Sequence, residues 1–449
     1  MRKKMPAMKK YFKEIMIVFV VILSRLPFIF NSLGSDLDGW REVYTGKVLH
    51  EEHIYQVSRF PGYPFPEFLY SLVYNAPYWC INLLSVLFTA GCSLFLFKIL
   101  ELIKAKFSPL IPIVFTFIPV IYLNSTIAME YNWSLFFLLG AIYYILKKNI
   151  WISALFFGLI VSTRFNNIIF LPALLFLTYF YIEKSIKKVL LYSFLSILFT
   201  GILFSPVIIK YGPHFLQNSG DSEFNLVSIL SLATLYIYGA IGTLAIGLGL
   251  IMQFFTGGYQ KIKELGKNHF ITFSAILIIS NFIFFIKYPL EPGYLIPSVP
   301  FVLILLQYIM KEKMMKFVLF TLFLSPFFIH ITAEKIRFKG MVLTNEDYED
   351  QGLQYCSNLV QEIKKLSKDH HTIFHVGNLS EQIMLVGKFD KTSHTKIVKN
   401  LSKEQENAII NKKVKLYYIN TIDGKIENEK NHILDQHGIL FYKDFELNR

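Results

Sequence analysis

Long runs of apolar residues, separated by short polar segments, make up the first three quarters of the chain. Each run is close to the roughly 20 residues that an α-helix needs to cross a bilayer. The pattern predicts an all-α polytopic membrane protein with about eleven transmembrane helices, at residues 15–33, 78–98, 109–128, 132–147, 150–164, 166–183, 189–209, 227–255, 270–286, 293–310 and 316–333.

The chain begins with a basic segment and an apolar run, an arrangement that cleaved signal peptides also have. This run is long, lacks a small-residue cleavage site and is followed by many more spans. We therefore expect residues 15–33 to form an uncleaved first transmembrane helix.

Lys and Arg residues are distributed unevenly between the two sides of this topology. If the N-terminus is cytoplasmic, the short inner segments hold 20 Lys and Arg and the outer loops hold six. Short cytoplasmic loops are enriched in these residues. The bias therefore predicts a multi-pass protein of the plasma membrane with a cytoplasmic N-terminus. The loop at residues 34–76 and the C-terminus then lie on the extracytoplasmic side.

An alternative topology treats residues 150–164 and 166–183 as one long or re-entrant element. It inverts every later segment and places the basic sequence KEKMMK, at residues 311–316, outside. Two separate spans agree better with the charge distribution.

The composition excludes one interpretation of the basic charge. Of 449 residues, 53% are hydrophobic and 17% charged, and the formal net charge is +13. Residues 1–333 hold 27 Lys and Arg against 15 Asp and Glu, whereas residues 334–449 hold 18 against 17. The excess lies in the membrane part, where topology explains it, so we expect membrane lipid and no nucleic acid as a partner.

The periodicity of the chain changes after residue 333. An amphipathic helix is predicted at residues 350–367. Short apolar runs that are typical of strands follow it, at residues 372–376, 414–419 and 439–442. We therefore expect two domains, a transmembrane catalytic domain (1–333) and a small soluble α/β extracytoplasmic domain (334–449).

The polar loop at residues 34–76 is long for a connection between packed helices, which favours a functional role. Two of its six acidic residues, Asp36 and Asp38, lie directly after the first predicted span. A carboxylate there can act as a general base that takes the proton of an attacking acceptor hydroxyl or amine. The alternatives are a solvated loop acid for Asp36 and a helix N-cap for Asp38, because an apolar stripe follows it.

Three cations, Arg59, Arg164 and Lys287, lie at the outer ends of predicted spans or in outer loops. A leaving phosphate needs such groups to stabilise its developing charge, and ionisable residues near membrane depth are candidates for function. The structural alternatives are snorkelling to the interface, or pairing with an outer acid such as Glu130 or Glu291.

A series of short motifs stands in order along the chain. Arg25 lies in SRLP late in the first span, Asp36 and Asp38 open the outer loop, and RFPGYP and Glu67 lead into the second span. Glu130 follows the third span. The last two motifs are FFGLIVSTRFNNIIFLP, which contains Arg164, and KYPLEPGYLIPSVP, which contains Lys287, Tyr288 and Tyr294.

In this order the motifs resemble those of the GT-C superfamily of integral-membrane glycosyltransferases, over residues 14–310. The resemblance implies an inverting enzyme of glycan biosynthesis in the cell envelope. It would move a sugar from a polyprenyl-phosphate donor to a glycan, lipid or protein acceptor on the outer face, with an Asp of the first loop as base. The residues implied in substrate or donor-phosphate binding are Arg59, Glu67, Glu130, Arg164, Lys287, Tyr288 and Tyr294.

The first loop departs from the family pattern. The commoner signature is an adjacent Asp-Glu pair, whereas Leu37 separates Asp36 from Asp38. Either aspartate can therefore be the base. His53, near the end of the loop, could ligate a divalent metal together with the aspartates, and the sequence indicates no other cofactor.

A lipid-linked sugar flippase or another polytopic transporter is the main alternative function. Transporters place polar residues and broken helices near the bilayer midplane. The charged residues here gather instead in outer loops and at outer helix ends, which favours chemistry at one membrane face.

Overall fold

The computed structural model describes residues 11–216, 225–255, 265–332, 336–367, 372–389, 395–399, 415–419, 432–434 and 439–442. Within these residues the chain is mostly helical, with seventeen α-helices and two sheets.

Ten helices fill the chain up to residue 211: α1 (Phe12–Arg25), α2 (Leu37–Glu52), α3 (Pro64–Ser71), α4 (Tyr78–Leu102), α5 (Leu110–Thr116), α6 (Pro119–Leu123), α7 (Tyr131–Leu146), α8 (Ile150–Thr163), α9 (Leu171–Tyr181) and α10 (Ile186–Tyr211). Five more follow, α11 (Leu226–Ala233), α12 (Leu235–Phe255), α13 (His269–Lys287), α14 (Val299–Ile309) and α15 (Glu312–Leu324). Short 3₁₀ turns connect several of them, among others at Leu26–Phe28, Phe165–Phe170 and Pro292–Ser298.

Five helical segments of the described chain are long and apolar enough to cross a membrane, namely Tyr78–Leu102, Ile186–Leu216, Leu235–Phe255, His269–Lys287 and Pro292–Ile309. Three shorter apolar segments accompany them, Tyr131–Leu146, Ile150–Thr163 and Phe165–Tyr181. The protein is therefore a helical membrane protein, as predicted, and the total of eleven spans stays a prediction.

The helices of the first and last predicted spans, 15–33 and 316–333, end early, at Arg25 and Leu324. Two other predicted spans are divided into separate helices. The span at residues 109–128 is divided into α5 and α6, because Pro119 lacks an amide N–H and disfavours helical backbone in the residue before it. Ile118 is accordingly extended, with φ −63° and ψ 130°. The span at residues 227–255 is divided into α11 and α12, and α12 bends at Gly239, whose φ of 70° suits glycine.

The packing of α7 against α8 positions two charged residues. These helices are joined by a short turn and run antiparallel, and α8 also packs against α10. In their contact the ring centres of Phe137 and Phe156 lie 5.8 Å apart, and Ser153 Oγ donates a hydrogen bond to the Ala141 carbonyl group at 2.8 Å. Glu130 directly precedes α7 and Arg164 directly follows α8. The two residues therefore lie at the same end of the helix pair.

The rest of the chain forms α16 (Met341–Leu366), α17 (Ser380–Gly387), the antiparallel pair β1 (His330–Ile331) and β2 (Ile336–Arg337), and strands β3 (Thr372–His375), β4 (Thr395–Val398), β5 (Lys415–Ile419), β6 (His432–Leu434) and β7 (Ile439–Tyr442). The larger sheet has the order β4-β3-β5-β7-β6. Strands β4, β3 and β5 are parallel, and β7 is antiparallel to both β5 and β6.

The three strands predicted in this region are present within about one residue of their expected bounds. The predicted helix is also present, but it begins nine residues earlier, at Met341 rather than residue 350. The division of the chain into two domains at residue 333 stays a prediction.

The helices of this C-terminal region pack on the first polar loop. Helix α17 contacts α2, and Leu385 and Val386 of α17 pack against a cluster that contains Trp40 of α2. On α16, Glu349 Oε2 accepts a hydrogen bond from Ser32 Oγ at 3.4 Å. The C-terminal helices and the loop therefore lie on the same side of the membrane helices.

Candidate active site

The two predicted acidic residues lie at the start of α2. Asp36, and not Asp38, is the N-cap: its backbone is extended, and its Oδ1 accepts the amide N–H of Asp38 at 2.9 Å. The hypothesis of an N-cap at Asp38 is therefore wrong. An aspartate side chain reaches the amide two residues ahead from the N-cap position, so the helix begins at Leu37.

The two aspartates have different surroundings. Asp38 forms ion pairs with Arg41, at 2.9 Å, and with Nε of Arg59, at 3.0 Å. Asp36 forms no ion pair with any described residue. Burial, helped by the nearby carboxylates of Glu291 and Asp38, raises the pKa of Asp36 to about 6. Asp36 is therefore the less engaged carboxylate of the two.

Arg59 joins three carboxylates with one guanidinium group. Besides Asp38, it contacts Glu42 Oε1 through Nη1 at 2.9 Å and Glu130 Oε1 through Nη2 at 3.0 Å. The group also lies 4.1 Å from the centre of the Tyr63 ring. The planar, five-donor guanidinium suits such a junction, which the single ammonium of a lysine cannot reproduce.

Glu130 also pairs with Arg164, and both side chains are buried. The guanidinium of Arg164 lies 3.8 Å from the centre of the Tyr131 ring and 5.2 Å from that of Tyr294. The alternative of pairing with Glu130 is thus confirmed for both Arg59 and Arg164. Because the partner is itself a predicted site residue, the pairing gathers four of these residues, Arg59, Glu130, Arg164 and Tyr294, in one cluster.

Glu42 is a buried member of this cluster that the motifs did not single out. Burial and the neighbouring Glu130 raise the pKa of Glu42 well above its usual range. A protonated Glu42 can donate a hydrogen bond to Glu130 while its other oxygen accepts one from Arg59. The signal in the sequence was the four-residue spacing from Asp38, which places both carboxyl groups on one face of α2.

A third acid approaches the two aspartates from far along the chain. Glu291 lies just before the turn Pro292–Ser298 and accepts a hydrogen bond from the Tyr131 hydroxyl. One carboxylate oxygen from each of Asp36, Asp38 and Glu291 lies within 4.8 Å of the others. Oxygen donors of this kind suit hard divalent cations such as Mg²⁺ or Mn²⁺.

His53 cannot belong to that oxygen cluster, and its prediction as a metal ligand with the aspartates is wrong. Asp36 and His53 flank the two ends of α2, which has 16 residues. At 1.5 Å per residue the helix separates them by about 24 Å. Glu291, and not His53, is the third potential metal ligand beside Asp36 and Asp38.

Glu67 lies beside the cluster and holds the backbone that leads to Arg59. It is buried, and its Oε1 accepts hydrogen bonds from Ser58, at 2.7 Å from the amide and 2.8 Å from the hydroxyl. Its Oε2 accepts one from the Tyr55 hydroxyl at 2.6 Å. These contacts make Glu67 a positioning residue for the loop.

The predicted residues Lys287 and Tyr288 lie at the end of α13. The Lys287 side chain is exposed, and its Nζ is 5.4 Å from the centre of the Tyr288 ring. A row of rings continues from Tyr288 through Phe284 to Tyr294, with centres 5.4 and 6.0 Å apart. The row connects Lys287 to the Arg164 side of the cluster, and the role of Lys287 in phosphate binding stays a prediction.

No protein-family model and no curated protein matches the sequence. Solved structures do match. The aminoarabinose transferase ArnT from Cupriavidus metallidurans, bound to undecaprenyl phosphate, superimposes with a TM-score of 0.60 at 12% identity, covering 92% of this chain and 94% of that one. The oligosaccharyltransferase of Archaeoglobus fulgidus in the apo form gives 0.52 at 10% identity, covering 92% of this chain and 70% of that one.

The same archaeal enzyme, tethered with an acceptor peptide that contains the NVT sequon, gives a TM-score of 0.51 at 9% identity, with 93% of this chain and 70% of that one covered. At identities this low, the superpositions establish a shared fold alone. The resemblance to GT-C glycosyltransferases that the motifs indicate is therefore confirmed: the chain has their fold over almost its whole length.

Proposed function

We propose that the protein is an inverting glycosyltransferase that moves a sugar from a polyprenyl-phosphate donor to a glycan, lipid or protein acceptor. The observation that carries this proposal is the position of Asp36. It is a carboxylate without an ion pair among the described residues, and it lies near Asp38, which pairs with Arg59. The fold supports the proposal, since one neighbour of the same fold is bound to undecaprenyl phosphate.

In the proposed reaction an acceptor hydroxyl or amine attacks the anomeric carbon of the donor sugar. Asp36 takes the proton of the attacking group, the new glycosidic bond forms, and the bond from the anomeric carbon to the phosphate oxygen breaks. The electron pair of that bond leaves with the polyprenyl phosphate. Asp38 is less suited to this task, because Arg41 and Arg59 hold its oxygens. A positioned base typically contributes about 10² to 10⁴ in rate.

The cations and tyrosines of the site are proposed to bind the donor phosphate. Arg164 lies against Tyr294, and Lys287 lies against Tyr288. A guanidinium group offers paired donors to phosphate oxygens, and an ammonium adds a point charge. Both would stabilise the negative charge that develops on the leaving phosphate.

A divalent metal is compatible with the same place. Asp36, Asp38 and Glu291 would hold it, and it would supply positive charge that stabilises the leaving group or orients the acceptor. The proposal for the base and the proposal for the metal are separable, because only the second requires Glu291 and sensitivity to chelators.

The proposed reaction takes place at the extracytoplasmic face of the plasma membrane. The Lys and Arg bias of the loops supports a cytoplasmic N-terminus. The packing of α17 on α2 supports an extracytoplasmic C-terminal region, which we propose to be the soluble domain of residues 334–449.

The experiment that tests the function uses purified protein in liposomes with a panel of radiolabelled polyprenyl-phosphate sugars. Transfer of label to an acceptor, or hydrolysis of the donor, would establish a bond-breaking enzyme. The same liposomes report movement of the intact lipid between leaflets. Movement with no bond broken would contradict the proposal and favour the transporter, whose broken helices α5 and α6 or α11 and α12 would then line the path.

A further inference from the structure

A cavity of about 670 Å³ lies on the side of α2 that faces away from the candidate active site. Successive residues of an α-helix are rotated by about 100°. Lys47 and Glu51, which line the cavity, therefore point roughly opposite to Glu42. The other walls come from residues 74–79, around the start of α4, and from the end of α17.

One end of this cavity is apolar and opens at the predicted membrane surface. Leu33, Val43 and Ile81 line it and are each 1% exposed. Beside them lie the rings of Phe30 and Trp79, with centres 6.3 Å apart and with 59% and 40% of their surfaces exposed. Exposed aromatic residues at the ends of spanning helices are typical of the interface between lipid and water.

The other end of the cavity is charged. Lys47 lies 4.0 Å from Glu51 and donates a hydrogen bond to the carbonyl group of Phe389 at 3.3 Å. Lys388 is exposed at the end of α17. Two ammonium groups thus face one carboxylate, which leaves an excess positive charge at this end.

We propose that this cavity binds an anionic membrane lipid, with its chain beside Phe30 and Trp79 and its phosphate at Lys47 and Lys388. The apolar end opens at the predicted membrane surface, and the excess positive charge is complementary to one phosphate group. Basic pockets beside transmembrane helices bind anionic head groups in this way. The lipid is a bulk phospholipid or a polyprenyl phosphate, and the two share the chemistry that the cavity recognises.

A bound lipid would stabilise the contact between the first loop and the C-terminal region. The walls of the cavity belong to α2, α4 and α17, so a ligand that contacts all three favours the assembled state over the separated one. The inference is independent of the proposed glycosyl transfer, because none of the cavity residues belongs to the candidate active site.

The test compares the full-length protein with Lys388→Glu and with Lys396→Glu as a matched control, since Lys396 is an exposed lysine of β4 outside the cavity. Each variant is placed in nanodiscs of phosphatidylcholine alone, with added phosphatidylglycerol, or with added undecaprenyl phosphate. Native mass spectrometry then counts the lipids that remain bound after release. We expect Lys388→Glu to lose one equivalent of anionic lipid and the control to lose none.

The nanodisc composition in which that equivalent is lost identifies the source of the phosphate. Loss with phosphatidylglycerol indicates a resident phospholipid, and loss with undecaprenyl phosphate alone indicates a second lipid-linked ligand. Trp79→Ala tests the apolar end without changing charge and should also reduce retention. Equal retention by wild type and Lys388→Glu, with equal thermal midpoints, would overturn the proposal, as would a wild type that retains no anionic lipid.

Discussion

Two arginines of this protein, Arg59 and Arg25, differ in the groups that they contact. Arg59 contacts the carboxylates of Asp38, Glu42 and Glu130. Arg25, at the end of α1, contacts neutral groups instead. Its Nε donates to Ser125 Oγ at 3.1 Å, it also donates to the Thr116 carbonyl group and Ser24 Oγ, and its guanidinium lies 4.1 Å from the centre of the Tyr122 ring.

The partners of Arg25 indicate a structural role. Thr116 ends α5, and Ser125 follows α6, so Arg25 donates hydrogen bonds at the place where the predicted third span is broken. Carbonyl groups at a helix end lack intrahelical donors and need others. Arg59 contacts three carboxylates, and one of them, that of Asp38, belongs to the residue whose amide N–H is bound by Asp36. Arg25 is buried and Arg59 is partly buried. Both are positively charged, and it is the charge of their partners that distinguishes the candidate site from the scaffold.

The largest effect is expected at the base, which borders the Arg59 cluster. Asp36→Asn removes the proton acceptor and nearly preserves the shape, so the rate of sugar transfer should fall by about 10² to 10⁴. Asp38→Asn should reduce the rate less, because it removes a partner of Arg59 rather than the base. Radiolabel transfer in liposomes measures both, and a larger fall for Asp38→Asn would reverse the assignment.

The comparison of the two arginines is tested by replacing each with methionine. Arg59→Met leaves buried carboxylates without their cation, which costs about 3–5 kcal/mol of stability and should lower the transfer rate by less than Asp36→Asn does. Arg25→Met leaves neutral acceptors unpaired, at about 1–3 kcal/mol for each such group. Thermal unfolding in detergent measures the stability of both variants.

The transfer activity per folded molecule distinguishes the site role of Arg59 from the structural role of Arg25. We expect it to be unchanged in Arg25→Met, because this residue does not contact the acidic residues. If Arg25→Met inactivates protein that is still folded, the structural role given to Arg25 is wrong.

The two buried glutamates that contact Arg59 should respond differently to amide substitution. Glu130 carries the charge that Arg59 and Arg164 share, so Glu130→Gln should destabilise the protein by about 3 kcal/mol. Burial and the neighbouring Glu130 raise the pKa of Glu42, which favours its neutral form. The neutral substitution Glu42→Gln should therefore destabilise the protein by less than about 1.4 kcal/mol and lower the transfer rate by less than about tenfold. Thermal midpoints and transfer rates of the pair test this, and equal effects would show that Glu42 is ionised.

Glu349 on α16 is an acidic counterpart of Arg25, since it is buried against neutral partners. It accepts hydrogen bonds from Ser32 and Asn345, and Asp350 and Glu346 lie near it. Burial raises the pKa of Glu349 to about 8, from an ordinary value of 4.5. The folded state therefore binds the proton more tightly than the unfolded state.

The sign of the pH dependence follows from this difference. The contribution of Glu349 to stability is complete below about pH 4.5 and is lost as the pH rises to about 8. Glu349→Gln keeps a neutral side chain at every pH, so its thermal midpoint at pH 8 should exceed that of the wild type by a few degrees. Hydrogen exchange of α16 at pH 6 and pH 8 locates the effect, and an identical pH dependence in both proteins would contradict it.

Much of the fold was determined by the sequence through local patterns. Apolar runs predicted the membrane helices, because lipid contact requires unbroken apolar segments with internally bonded backbone. Short apolar runs predicted three strands of the larger sheet within about one residue. The order of the motifs, from Asp36 to Tyr294, predicted the shared fold and four members of the charged cluster.

The tertiary structure alone decided which of these residues meet and in what state. It assigned the N-cap to Asp36, brought Glu291 rather than His53 to the aspartates, and placed Glu42 against Glu130. A sequence pattern reports periodicity over about one helix, whereas these contacts join residues that can be more than 200 positions apart. Their ionisation depends on burial and neighbouring charge, which exist only after the helices pack.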